Sequence, residues 1–220
     1  MNDLNYIISS CTIGHTGVFK DETCLFAQTD GLGEHLLSLY RSLGLDYPRF
    51  YKMDQLSKLG WLASEVLLKD NAILPTMQPE EIGIVLTNAN SSLDTDIKYL
   101  DTVADIASPA VFVYTLPNIM IGEISIRNKF KGENAFFIFD RFDADFLELY
   151  VGQLLDTGVV KACICGWVDV LADDYKACLF LAARGKGGVP SPGSDSPEPG
   201  SILFSKENMD KIFREGGIEQ

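Results

Sequence analysis

The sequence predicts an α/β fold in which a mixed sheet carries helices on both faces, and three observations lead there. Short continuous apolar runs such as IGIVLT, AFFIF and CLFLAA suit strands covered on both sides. Segments with three- and four-residue apolar spacing lie between them. One of these, Asp143 to Thr157, is apolar nearly all round, as a helix sandwiched between layers would be.

The strands expected in chain order are Leu4 to Cys11, Ile82 to Thr87, Ala135 to Phe139, Val160 to Gly166 and Lys176 to Ala183. Asp54 can cap a helix whose apolar positions Leu56, Leu59, Leu62, Ala63, Val66 and Leu67 share one side. A second helix runs from Asn118, after Pro117, to about Lys131, with Ile121, Ile124 and Phe130 on its apolar side and Gly132 as its left-handed stop. Further helical patterns span Gly33 to Leu43 and Leu93 to Ile106, the latter with Ile97, Leu100 and Ala104 on one side. In the helix from Asp143, the residues Phe146, Leu149 and Gln153 line one face, while Leu147, Tyr150, Val151, Leu154 and Leu155 fill most of the rest.

The segment GKGGVPSPGSDSPEPGS is too poor in apolar residues to order itself. It divides the chain into a globular unit, residues 1–184, a Gly/Pro/Ser linker, 185–201, and a tail, 202–220, in which Ile202 to Phe204 can add a short strand and Lys206 to Arg214 an amphipathic helix. A net charge of −13 repels phosphate backbones and anionic lipid, so neither nucleic acid nor bare membrane is an expected partner. Met1 to Asn5 carries no Lys or Arg ahead of an apolar run, and Ala107 to Ile126 is broken by Pro109 and Pro117 and carries Glu123; neither a signal peptide nor a membrane span is expected. The five scattered cysteines, Cys11, Cys24, Cys163, Cys165 and Cys178, read as free thiols in a cytoplasmic protein.

Several segments taken in order resemble the amino-terminal half of a β-ketoacyl-acyl-carrier-protein synthase. The stretch VFVYTLPNIMIGEISIRNKFKG, Val111 to Gly132, is similar to the ketosynthase segment in which a strand leads to a Pro-Asn pair, a helix and a Lys-Gly turn. Arg49 to Asp70 resembles the family's early helix, and Ile82 to Thr102 its second strand and the polar loop that follows. Gly158 to Val170 resembles a strand ending in a small-residue turn, and YKACLFLAAR the strand that closes the half-domain. The resemblance covers about Tyr6 to Arg184 and implies a thiolase-like half, a mixed five-stranded sheet with helices on both faces. A full ketosynthase has a second half that supplies two catalytic histidines, and this chain contains no such repeat. Half-length homologues in this family are often found beside polyketide or aryl-polyene-type biosynthesis enzymes, so the resemblance implies a place in fatty-acid or polyketide (aryl-polyene-type) biosynthesis.

The resemblance places the family's nucleophilic cysteine one strand beyond the Lys-Gly turn, at the amino-terminal end of the buried helix. There the helix dipole and backbone N–H groups lower a thiol pKa. Counting from Gly132 puts Arg141 at that position, with Phe142 as the alternative register, between Asp140 and Asp143. Neither is a nucleophile, and neighbouring carboxylates would repel a developing oxyanion. On a purely structural reading Asp140 caps the helix, Asp143 and Asp145 complement its dipole, and Arg141 pairs with one of them. On the functional reading Arg141 plugs the acyl site and pairs with a partner's carboxylate, as in chain-length-factor subunits.

Other candidates are weaker. Cys163 and Cys165 share one side of a strand, but no accompanying Cys or His spacing supports a metal, and core packing is the better account. His15 follows the first strand, His35 sits in a polar helix, and both read as loop or surface residues. No nucleotide fingerprint is present, so no cofactor is expected. Asp94, Asp96, Asp101 and Asp105 form a solvated helix face; Arg127, Lys129 and Lys131, and Arg184 with Lys186, make small basic clusters.

The expected function is a non-catalytic ketosynthase-like subunit that pairs with a ketosynthase-like chain or with itself as a homodimer, an acyl carrier protein being reached through the other subunit. A single half would leave the buried helix's apolar face open, and pairing would cover it. The first alternative is an active acyltransferase or condensing enzyme using Cys24, Cys163 or Cys165, or a site shared with a partner. The second is an interaction module without acyl chemistry, favoured if the third strand lies exposed at a sheet edge and no acyl pocket exists beside Arg141.

Overall fold

The computed structural model describes residues 4–28, 31–185 and 202–215. Eight strands form one mixed sheet: β1 (Leu4–Gly14), β2 (Gly17–Lys20), β3 (Thr23–Phe26), β4 (Ile82–Asn88), β5 (Asn134–Ile138), β6 (Ala162–Leu171), β7 (Asp174–Gly185) and β8 (Ile202–Leu203). Their order is β3-β2-β1-β7-β6-β4-β5, with β8 added to β1. β4 runs parallel to both β5 and β6, whereas β7 is antiparallel to β6 and to β1. The five strands read from the sequence lie side by side as β1-β7-β6-β4-β5, with β5 at one edge; β2, β3 and β8 extend the β1 side.

The period-two alternation of the central strands divides the interior into two cores. From β7, Ala177, Leu179, Leu181 and Ala183 face one core, while Cys178, Phe180 and Ala182 face the other. The first core is closed by α1 (Leu32–Ser42), α2 (Gln55–Leu68) and α5 (Ile119–Asn128), and the second by α6 (Ala144–Asp156) and α7 (Lys206–Glu215). Between β4 and α5 lie α3 (Leu93–Val103) and the single turn α4 (Pro109–Phe112).

Local chemistry accounts for most boundaries. Asp54 caps α2 by accepting a hydrogen bond from the Ser57 N–H at 3.0 Å. Helix α5 ends at Lys129, which itself takes the left-handed conformation (φ 61°), so Gly132 is not the stop expected for it. The reason for glycine at 132 is space: a Cβ there would lie 2.3 Å from the Ile82 carbonyl oxygen. Strand β6 does not turn at Gly166 but stays paired with β7 as far as Leu171, and glycine stands at 166 because an ideal Cβ there would lie 2.1 Å from the Cys178 carbonyl oxygen.

Helix α6 departs from expectation in a telling way. Ala144, Leu147, Val151, Gly152 and Leu155 are buried, but Leu149 is 73% exposed, so the helix buries one face and not several. The run AFFIF is likewise only half-buried, since β5 is the sheet's edge, whereas every residue of β4 is buried. Helix α3 is the reverse of a conventional amphipathic helix: Thr95 is buried while Ile97 and Leu100 face out. The linker expected at 185–201 lies outside the described residues but for Gly185, which closes β7. The residues after it return to the body, Ile202 and Leu203 pairing with Ile7 and Tyr6 of β1.

Replacing Gly132 by alanine is expected to destabilise the fold by about 1–3 kcal/mol, the usual cost of forcing atoms into filled space. A urea titration followed by circular dichroism will read this as a lower midpoint with an unchanged slope.

Candidate functional site

Parallel strands β4, β5 and β6 all end on the same side of the sheet, where α/β proteins place their ligand-binding loops. Two loops meet there. The β4–α3 loop is held by Asn88, whose side chain accepts from the Ser91 N–H at 3.0 Å and donates to the Ser91 carbonyl at 2.8 Å, with Ser91 in the left-handed region (φ 52°). Asp169 on β6 fastens the same loop, accepting from the N–H groups of Ala89 and Asn90 and from the Asn90 side-chain amide. The β5–α6 loop leaves the sheet beside it, tied by the Phe139 N–H to the Asn88 carbonyl at 2.9 Å.

Within the β5–α6 loop the four candidate residues have distinct roles. Asp143, not Asp140, is the cap of α6, accepting from the Phe146 N–H at 2.9 Å; Asp140 is exposed. Arg141 is exposed and forms no ion pair among the described residues, so the expected pairing with Asp143 or Asp145 is absent. Asp145 instead meets the Lys206 ammonium at 2.9 Å. The inward side chain is Phe142, which stacks on Phe213 with ring centres 4.2 Å apart and planes 6° from parallel, and meets the Trp167 ring edge-on. The helix tip thus presents carboxylates, a guanidinium and an aromatic ring, and its positive end is already complemented by Asp143 and Asp145.

No thiol or imidazole stands at this tip. Cys163, Cys165 and Cys178 are buried in the second core and Cys11 in the first. Burial pushes the Cys163 and Cys178 thiols up to about 12, and those of Cys11 and Cys165 well above their ordinary value. Cys24 is exposed, but on β3, the opposite edge of the sheet from β5. Both imidazoles lie against Tyr175 of the first core, His15 in the β1–β2 turn with Asp174 3.8 Å away. His35 is fully buried within α1, where its ring also meets Phe26, and is no surface residue.

The charged clusters resolve differently as well. Arg127 turns away from Lys129 and Lys131 to grip Glu65 through two nitrogens, at 3.2 Å each, and lies over the Tyr47 and Trp61 rings. Lys131 pairs loosely with Glu80, and Arg184 donates to the Asp156 carbonyl at 2.5 Å; Lys186 is outside the described residues. Asp94 is no solvated charge: it accepts from the Ala172 N–H and from Lys98. The fastening Asp169 and the Asn88 loop were not singled out in the sequence, although the run NANSS after a strand carries the turn chemistry that signals them.

No family model matches the sequence, and no curated protein matches it. Solved structures do. The ishigamide ketosynthase/chain length factor superposes with a TM-score of 0.61 at 17% identity over 88% of this chain and 64% of that one. A chain from AntDE:AntF, a type II polyketide synthase acyl carrier protein in complex with its hexaketide-bound ketosynthase, gives 0.60 at 13% identity, covering 83% and 64%. A chain from the complex of the ketosynthase ApeO with its chain length factor ApeC, from Xenorhabdus doucetiae, gives 0.55 at 12% identity, covering 100% of this chain and 94% of that one. The chain therefore has the thiolase-like fold of ketosynthase and chain-length-factor proteins, and it spans 64% of the length of the first two.

The thiol environments predict a selective alkylation. Iodoacetamide at pH 8 is expected to modify Cys24 alone in the folded protein and all five cysteines after denaturation, read by intact mass.

Proposed function

We propose that this chain is a non-catalytic ketosynthase-like subunit that pairs with a ketosynthase-like chain or with a second copy of itself and shapes the pair's acyl site. The observation that carries this reading is the tip of α6, which carries Asp140, Arg141, Phe142 and Asp143 and no cysteine. Arg141 takes the position of the reactive cysteine, and its exposure leaves the guanidinium available to a carboxylate of the partner. The likeness to subunits of polyketide-type synthases supports a polyketide or aryl-polyene setting, with an acyl carrier protein engaged through the partner.

A second feature supports pairing. Ile97, Leu100 and Val103 of α3, Ile106 beyond it, and Phe112, Val113 and Leu116 of and after α4 are all exposed, Leu100 at 69% and Ile106 at 79%. The Tyr99 and Phe112 rings join α3 to α4, 5.3 Å apart. An apolar tract of this extent marks an interaction surface. It is not the surface expected from the sequence, since α6 is covered by α7 and the open face belongs to α3 and α4.

The edge position of β5 favours a second reading, an interaction module without acyl chemistry. An active condensing enzyme is disfavoured because the buried thiols hold their protons and the exposed Cys24 lies across the sheet.

Sedimentation at micromolar concentration is expected to give a dimer, either alone or on mixing with a ketosynthase, and Leu100→Glu is expected to weaken it by about 2 kcal/mol or more. Incubation with acyl-CoA and acyl carrier protein thioesters is expected to leave no acyl adduct by intact mass. Stoichiometric acylation would establish the enzyme reading, and failure to pair with any ketosynthase would leave the interaction module.

A further inference from the structure

The described C-terminal segment, Ile202 to Glu215, is bound in a manner that sets it apart from the other elements. It returns after sixteen residues, 186–201, and lays one side of α7 on the second core: Met209 and Ile212 are buried, Phe213 stacks on Phe142, and Phe204 is buried ahead of the helix. The remaining α7 residues are polar or charged.

The body also recognises both ends of this helix. At the amino-terminal end the Glu148 carboxylate of α6 accepts from the Lys206 N–H at 2.6 Å, one of the donors that a helix leaves unpaired in its first turn. At the other end the Lys176 ammonium of β7 donates to the Phe213 carbonyl at 2.6 Å, one of the acceptors left unpaired in the last turn, and lies 4.0 Å over the Phe213 ring. A carboxylate at the positive pole and an ammonium at the negative pole match the helix dipole at both ends.

The connection does not force this arrangement. Gly185 pairs with Leu4 on one edge of β1 and Ile202 with Ile7 on the other, which puts the two ends roughly 14 Å apart by strand geometry. Sixteen residues can reach roughly 50 Å. The chain is thus long enough for the segment to leave its place and return.

From these observations we infer that the face formed by Phe142, Glu148, Trp167, Lys176 and Phe180 is a receptor site for a short amphipathic helix, and that residues 202–215 are its ligand, held in cis and able to dissociate without unfolding the body. The ligand class is specific: two buried apolar residues three apart, an aromatic one position later, and, seven positions apart, a first-turn N–H and a last-turn carbonyl for the body to bond. Bound, α7 covers Phe142 and so closes the loop at the tip of α6. On the subunit reading proposed above, that closure governs access to the pseudo-active-site.

The test uses the full chain with a protease recognition sequence inserted between positions 190 and 195. After cleavage, the piece carrying α7 is expected to stay with the body on gel filtration, and excess fluorescein-labelled synthetic peptide 202–215 is expected to replace it, read by anisotropy. Lys176→Met and Glu148→Gln in the body are each expected to weaken the peptide about tenfold, as for one charge-assisted hydrogen bond. Phe213→Ala in the peptide is expected to weaken it further. If the cleaved piece exchanges only within the unfolding transition, or the body unfolds when it leaves, the segment is an integral layer and the inference fails. Unchanged affinity in both Lys176→Met and Glu148→Gln would overturn recognition of the helix poles. All of this is measured on one chain without a ketosynthase, so it stands or falls separately from the pairing experiment.

Discussion

The three central strands β4, β6 and β7 are apolar on both faces, and that constraint organises the molecule. A sheet of this kind has no side it can leave to water, so each face must be roofed by helices. One roof is broad: α1, α2 and α5 interlock, with Gly60 of α2 lying so close to Met120 of α5 that a Cβ there would clash with its sulfur. The other consists of α6 and the terminal helix α7, a narrower cover over a smaller core.

The candidate site inherits its geometry from this layering. Parallel pairing of β4 with β5 and β6 brings the Asn88 loop and the loop preceding α6 to one end of the sheet, and Asp169 and the Asn88 carbonyl hold both in place. Rigidly placed loops at a helix tip are an apparatus for chemistry when they carry a nucleophile. Here the tip carries Arg141 and Phe142, while Cys163, Cys165 and Cys178 are buried in the second core and the exposed Cys24 lies at the opposite edge of the sheet. What remains is a thiolase-like fold whose helix tip carries charge and an aromatic ring.

The exposed apolar side chains of α3 and α4 lie on a different part of the molecule from the α7 cover. A helix that buries Thr95 and shows Ile97 and Leu100 to water is not stabilised by its own fold in the usual manner, and its pattern makes sense as one half of a contact. The molecule therefore has one apolar face closed by its own chain and another left exposed among the described residues.

Much was determined locally. The strands β1, β4, β5, β6 and β7, the Asp54-capped helix, α5, α6 and the returning strand and helix at the C-terminal end were legible because periodicity and capping depend on neighbours in sequence. The place of Arg141 just ahead of α6 was legible for the same reason: it needs only a count of residues from a recognisable turn. Tertiary structure decided what periodicity cannot encode, namely which partner covers an apolar side. It made β5 an edge, turned the apolar side of α3 outward, buried His35, and sent α7 onto Phe142 where pairing between chains had been expected to cover α6. An apolar stripe states that water must be excluded, and only the path of the whole chain determines what excludes it.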